Sequence, residues 1–264
     1  MSSTSQIVSS TDFTANTLRF QKPINGGSPN TYRIPIYASK NGQTVPSLFL
    51  ATPTVYSFGV SPQANIGEKV DDDFGNVKYY TLPICLHNKG GATAEELAFV
   101  ELFNKVVDAC KTYLCTKELN EQIGKFGDDQ VQLSDLKKLN PLYYKKEKGQ
   151  IVPGTGPMLY PKLIVRKDGQ SCITTFSDGK QTHTNMRSLI GTRMNVRCAL
   201  KIESIFVGSK ISLQVKVCEV NYQTVSHGRE RLLAHFPVEY TQSAEATSDH
   251  PITDETDSVA TTPM

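Results

Sequence analysis

Arg193–Tyr222, RMNVRCALKIESIFVGSKISLQVKVCEVNY, is the stretch from which the fold is read. Gly208-Ser209 interrupts it near the middle. After the break, Ile211, Leu213, Val215 and Val217 alternate with Ser212, Gln214, Lys216 and Cys218, the period of a strand with one face on a core. Before it, Val196, Cys198, Leu200 and Ile202 share one face of a second strand, while Arg193, Arg197 and Lys201 share the other, because successive strand side chains point to opposite sides. Arg193–Val207 and Lys210–Tyr222 are therefore expected to form a long hairpin with an apolar inner wall and a cationic outer face.

Working outward, Tyr160–Arg166 and Ser171–Phe176 flank Asp168-Gly169 as a second hairpin, and Asp178-Gly179 marks a further turn. Toward the N-terminus, Thr31–Ala38, the turn Ser39–Gly42 and Val45–Ala51 read as another hairpin. Thr54–Val60 follows as a short strand, and Val77–His87 as one bent at Pro83. One long helix begins near Ala94. Thr93 and Glu96 form a capping box, and Phe99, Phe103, Val106, Val107, Cys110, Tyr113 and Leu114 make one apolar stripe. The polar KELNEQ is read as its frayed end and Ser134–Leu139 as a helical turn. The predicted class is mainly β with one long helix (α+β): an OB-type antiparallel barrel with a helical insertion over about 92–139. A β-sandwich with a helical insertion fits the same pattern.

The ends differ from the middle. Residues 1–30 are expected to be a flexible segment, 31–238 a single domain, and 239–264 a disordered tail poor in apolar residues. The net charge of +2 hides a polarity along the chain. Residues 137–231 hold 17 Lys/Arg against 6 Asp/Glu, a net of +11, whereas 239–264 hold 6 acidic and no basic residues. Such a distribution points to partners rather than to fold. No apolar stretch is long enough for a membrane helix and the first residues lack a secretory pattern, so an intracellular, reducing compartment is expected, with no membrane partner. The six cysteines form no C-x-x-C pair and read as small buried hydrophobes.

The stretch Asn140–Leu163, NPLYYKKEKGQIVPGTGPMLYPKL, interleaves Tyr143, Tyr144 and Tyr160 with Lys145, Lys146, Lys148 and Lys162 around a glycine-containing loop expected to be flexible. Cations that follow phosphates and aromatic faces that take unpaired bases are what a single-strand binder needs. The cationic set continues through Arg166, Lys167, Lys180, Arg187, Arg193, Arg197 and Lys201. An ordinary solvated surface with tyrosines in the core accounts for the same composition. No phosphate-binding loop, G-x-S-x-G or H-E-x-x-H occurs, and the five histidines have no zinc-site spacing. Asp178-Gly179-Lys180 reads as a turn rather than as part of a nuclease site. The expectation is a protein that is not an enzyme and uses no cofactor or metal.

The run Tyr-Tyr-Lys-Lys at 143–146, Tyr-Pro-Lys-Leu at 160–163, Phe176 before a short loop, and IESIFVG at 202–208 followed by ISLQVK at 211–216 resemble the OB-fold single-stranded DNA-binding proteins of large eukaryotic DNA viruses. Those are similar to phage single-stranded DNA-binding proteins with acidic tails. The resemblance covers about residues 140–222, and 31–60 more loosely. It implies a sequence-tolerant coat for single strands in viral DNA replication, recombination and repair, at a host-cell replication site in cytoplasm or nucleus. It also implies an acidic tail that meets replication enzymes and leaves homo-oligomer formation open. Phage relatives end in an aromatic residue, whereas this chain ends in Pro263-Met264, which leaves electrostatic competition as the tail's role. The alternative is a DNA-associated virion or structural protein binding duplex through the same surface.

Overall fold

The computed structural model describes residues 7–8, 13, 17–40, 43–45, 47–65, 67–87, 90–123, 131, 136, 138–167 and 171–225. The hairpin around Gly208-Ser209 forms its spine. Its strands are labelled in chain order with the others: β1 (Tyr32–Lys40), β2 (Leu48–Ala51), β3 (Val55–Ser57), β4 (Tyr79–Thr81), β5 (Ile84–Cys85), β6 (Met158–Leu159), β7 (Lys162–Leu163), β8 (Thr175–Ser177), β9 (Met194–Val207) and β10 (Ile211–Thr224). Alternation along β9 is as expected, with Met194, Val196, Cys198, Leu200 and Ile202 buried and Asn195 and Arg197 exposed, as is Arg193 just before the strand.

The pairings around this spine return on themselves. β9 is antiparallel to β10 on one edge and to β2 and β3 on the other, with Leu200 opposite Leu50 and Asn195 opposite Tyr56. β3 pairs with β5, Tyr56 opposite Cys85. β5 then pairs with β6 and β4 with β7 in one register: Cys85 opposite Met158, Ile84 opposite Leu159, Thr81 opposite Lys162. The Leu82 N–H donates to the Pro161 carbonyl across the gap at 3.0 Å, so 79–86 and 157–163 form one antiparallel ladder, bent at Pro83. β7 finally lies parallel to β10, Lys162 opposite Lys216 and Leu163 opposite Val217. The inside of this cycle is filled by Leu48, Leu50, Leu82, Ile84, Leu159 and Val217, all buried. Two buried hydroxyls along it are satisfied. Thr174 Oγ1 donates to the Val217 carbonyl at 2.6 Å and accepts the Ile164 N–H at 2.9 Å, and Thr52 Oγ1 accepts the Cys198 N–H at 2.9 Å.

The long helix α1 (Ala94–Leu114) starts at the predicted box: Thr93 Oγ1 accepts the Glu96 N–H at 3.2 Å and Glu96 Oε2 accepts the Thr93 N–H at 2.7 Å. Phe99, Leu102, Phe103, Val106, Val107, Cys110 and Leu114 pack its apolar face into the core. Burial pushes the Cys110 and Cys198 thiols up to about 12, as expected of cysteines used for packing. The fold is thus mainly β with helical elements. No helix among the described residues is long and apolar enough to cross a membrane.

Four expectations need correction. KELNEQ does not fray; Lys117–Ile123 is a second helix, α2, held by the burial of Leu119 and Ile123. Val45–Ala51 is not one return strand. Gln43–Val45 pairs with β1, and β2 pairs with β9, where Leu48 and Leu50 reach the core. The 160–176 hairpin exists at its neck, where Val165 bridges Cys172, but its arms β7 and β8 both run parallel to β10. Residues 1–30 are not all a flexible lead, because Leu18–Phe20 and Ile24–Asn25 pair with β1 and the Phe20 ring stacks on Tyr113 at 4.0 Å. The tail, 239–264, and half of Ser134–Leu139 lie outside the described residues.

The glycines of the 149–156 loop have structural duties. Lys148 (φ 49°) and Gly149 (φ 82°) turn a two-residue hairpin between Lys146–Glu147 and Gln150–Ile151. Gly156 lies so close to His87 that a Cβ would fall 2.3 Å from its carbonyl oxygen. Gly156→Ala is therefore expected to destabilise the protein by about 2–4 kcal/mol in urea unfolding, while Gly90→Ala, in open space, changes it by less than about 0.5 kcal/mol.

Candidate nucleic-acid interface

Strand register fixes which side chains share the outer surface of the cycle. One cross-strand row reads Gln223, Asn195, Tyr56, Cys85, Met158, Tyr143, each opposite the next. Two residues farther along their strands, Phe58 and Tyr160 project from the same face. Tyr143 is 61% exposed, Tyr160 48%, Phe58 48% and Tyr79 38%, and Tyr56 meets Phe58 edge to face at 5.2 Å. Large rings held open on a strand surface are the informative exception to burial.

Cations border these rings. Arg197 on β9 and Arg193, just before its first residue, flank Asn195. Lys162, next outward after Tyr160 on its strand, places its Nζ 4.6 Å from the centre of the Tyr79 ring. Lys162 faces Lys216 across the parallel pair, and Lys216 faces Lys201. Beside them a cleft of about 280 Å³ is lined by Lys78, Tyr79, Arg166, Lys167 and Lys216. Glu203 is the local counter-charge: it accepts from Lys216 at 2.9 Å and pairs with Arg33. Burial and then the neighbouring Lys216 hold the Lys162 ammonium below the ordinary lysine range, against the opposing pull of Glu203. Burial, then Tyr143 and Cys85, raise the Tyr160 phenol.

Of the residues expected to bind nucleic acid, Tyr143, Tyr160, Lys162, Arg193 and Arg197 lie on this face, and Arg166 and Lys167 line its cleft. Lys201 continues the lysine row, half-buried. Lys145, Lys146 and Lys148 stand on the exposed ribbon 145–152, where Lys145 is tied to Glu147 at 2.9 Å. Arg187 sits on a 3-10 turn over the Phe74 ring at 5.7 Å. Tyr144 packs against the core and shows only part of its surface. Phe176 is a correction: its side chain is wholly buried, stacked near His183, and offers no face to a base. Asp178-Gly179-Lys180 is a turn, with Asp178 Oδ1 accepting the N–H groups of Lys180 and Gln181 at 2.9 and 2.8 Å. Sequence reasoning passed over Tyr56, Phe58, Lys78, Tyr79 and Lys216. The alternation Val55-Tyr56-Ser57-Phe58 and the outward parity of Lys216 carried the available signal.

The chain belongs to the family described as "Protein of unknown function (DUF2738)", which matches residues 14–259. It is similar to the "Early 31 kDa protein" of Frog virus 3 (isolate Goorha), with 26% identity over 188 residues, 70% of this chain and 66% of that protein. It is also similar to "Uncharacterized protein 007R" of Invertebrate iridescent virus 3, with 23% identity over 145 residues, 53% of this chain and 30% of that protein. The chain thus spans less than two thirds of either viral relative.

Core and face aromatics separate by stability. Phe176→Ala is expected to cost about 3–5 kcal/mol in urea unfolding, and Tyr143→Ala or Tyr160→Ala under about 1 kcal/mol. A lysine whose folded pKa is depressed is destabilising while charged, and stability rises with pH through the window between its folded and unfolded values. Lys162→Met is accordingly expected to leave Tm at neutral pH unchanged or higher; a clear drop in Tm would assign Lys162 a structural role.

Proposed function

We propose that this chain is a non-enzymatic, sequence-tolerant single-stranded DNA-binding protein built on an OB-type barrel, serving viral DNA replication, recombination and repair in the infected host cell. The observation that carries the reading is the shared outer face of 79–86 and 157–163, where Tyr79, Tyr143 and Tyr160 stand beside Lys162 with Arg193 and Arg197 at its border. Aromatic faces accept any base, and cations neutralise phosphates without reading sequence.

Strand order supports the barrel type. Counting β2–β3 as the first member, 79–86 as the second, 157–163 as the third, β9 as the fourth and β10 as the fifth, the ring runs first, second, third, fifth, fourth, with the third and fifth parallel. That order is the one an OB-type Greek-key barrel would have, which supports the reading, and OB-folds take oligonucleotides on the second and third strands. The Frog virus 3 relative is named an early protein, and a coat for replicating DNA is needed early. The tail, with 6 acidic and no basic residues over 239–264, acts in this reading as an electrostatic competitor and a dock for replication enzymes.

The test is a titration of single-stranded DNA, single-stranded RNA and duplex at two salt concentrations. The expected result is a preference for single-stranded DNA, with log affinity falling against log salt by about 0.7 per phosphate contact. Tyr143→Ala and Tyr160→Ala are each expected to weaken binding by about 1–3 kcal/mol. Lys146→Ala should flatten the salt slope by about one contact. Equal affinity for duplex would favour a DNA-packaging structural protein instead.

A further inference from the structure

At the far end of the aromatic row the surface changes character. Asn195 and Gln223 are opposite one another, Arg197 and Asn221 form the adjacent pair, and Ser177 lies opposite Asn221. With Thr54 and the Asp178-Gly179 turn they line a hollow of about 420 Å³, within the size range of small-ligand pockets. Among the described residues, the side chains of Asn195, Arg197, Asn221 and Gln223 make no hydrogen bond or ion pair, so their donors and acceptors are available to a ligand. Asn195 lies directly opposite Tyr56, the first ring of the row, at a cross-strand Cβ separation of about 5 Å.

We propose that this hollow is a base-reading pocket that takes the edge of one purine of the bound strand. The inference rests on the single-strand reading above and adds a specificity element to an otherwise sequence-tolerant face. An Asn or Gln amide offers a donor and an acceptor side by side, matched to N6 and N7 of adenine, and a guanidinium matches O6 and N7 of guanine. Both arrangements use the N7 edge, which pyrimidines lack. The Asp178 carboxylate on the rim argues against a phosphate as occupant. The Gln181 and Lys180 N–H groups bonded to it hold it below the usual aspartate range, and it therefore presents a negative charge. A neutral base edge meets no such repulsion. A strand lying on Tyr143, Met158 and Tyr56 thus delivers its next base to the pocket.

The experiment uses the full chain and oligonucleotides of about fifteen residues: oligothymidylate, and oligothymidylate with adenine or guanine interspersed. The wild-type protein is expected to bind at least one purine-containing oligomer about tenfold more tightly than oligothymidylate. Asn195→Ala combined with Asn221→Ala should bring that ratio to within about twofold. Both side chains are exposed; if the double variant fails to fold by circular dichroism, Gln223→Ala provides the same comparison. A wild-type ratio near one, or a purine preference that survives the substitutions, overturns the pocket and leaves the single-strand reading standing. Failure of the wild-type protein to bind any oligomer overturns the single-strand reading and the pocket together.

Discussion

The parallel contact between Lys162–Leu163 and Lys216–Val217 is the joint on which the molecule depends. Every other pairing in the ring is antiparallel, and without this one the ladder 79–86/157–163 would be joined to the β9–β10 spine through β3 alone. The joint is only two residues long, so it relies on what surrounds it. Leu163 and Val217 are buried beneath it, and the Thr174 hydroxyl fastens Ile164 to the Val217 carbonyl in a place no water reaches. On the outer side the same register brings Lys162 against Lys216. Two like charges are tolerable there because Glu203 pairs with Lys216 and the Tyr79 ring lies under Lys162. The closure that completes the core therefore also concentrates positive charge on the surface.

Charge and aromatic surface on one face follow from one constraint, the two-residue period of strands wrapped around an apolar interior. Once Ile84, Leu159 and Val196 point inward, Cys85, Met158, Tyr160 and Asn195 must point outward, and a row across the sheet is set by register alone. The ribbon 145–152 is different. All of its side chains from Lys145 to Ile151 are exposed, and nothing in the core dictates its direction, so its lysines are carried beside the face rather than fixed within it.

The parts legible in the sequence are those in which a local signal and the final contact coincide. The β9–β10 hairpin, the Thr93–Glu96 box, the Asp178-Gly179 turn and the bend at Pro83 each involve residues near one another in the chain. Pairings between distant segments left no such mark. Nothing in Lys162-Leu163 announces a partner at 216–217, and Leu48 and Leu50 look equally suited to the local hairpin that Gln43–Val45 takes up instead. The candidate face suffered likewise. The Tyr/Lys-rich stretch at 140–163 stood out by composition, whereas Tyr56, Phe58 and Tyr79 were single aromatics in unremarkable strands until register brought them together. Phe176 erred the other way: an aromatic just before a turn looks presentable, yet its alternation with Thr175 and Ser177 already assigned it to the inner side.

Ladder order also bears on how the chain is made. β9 is the partner of β1, β2 and β3, and Arg33 donates to Ser204, a residue 171 positions later. A ribosome delivers the N-terminal half of the sheet long before the strand that it needs. Through that interval β1, β2 and β3 each keep open the edge that β9 will occupy, and contacts of such long sequence separation form slowly. The newborn chain consequently passes through a stage at which these strand edges are exposed to association with other chains before their own partner arrives.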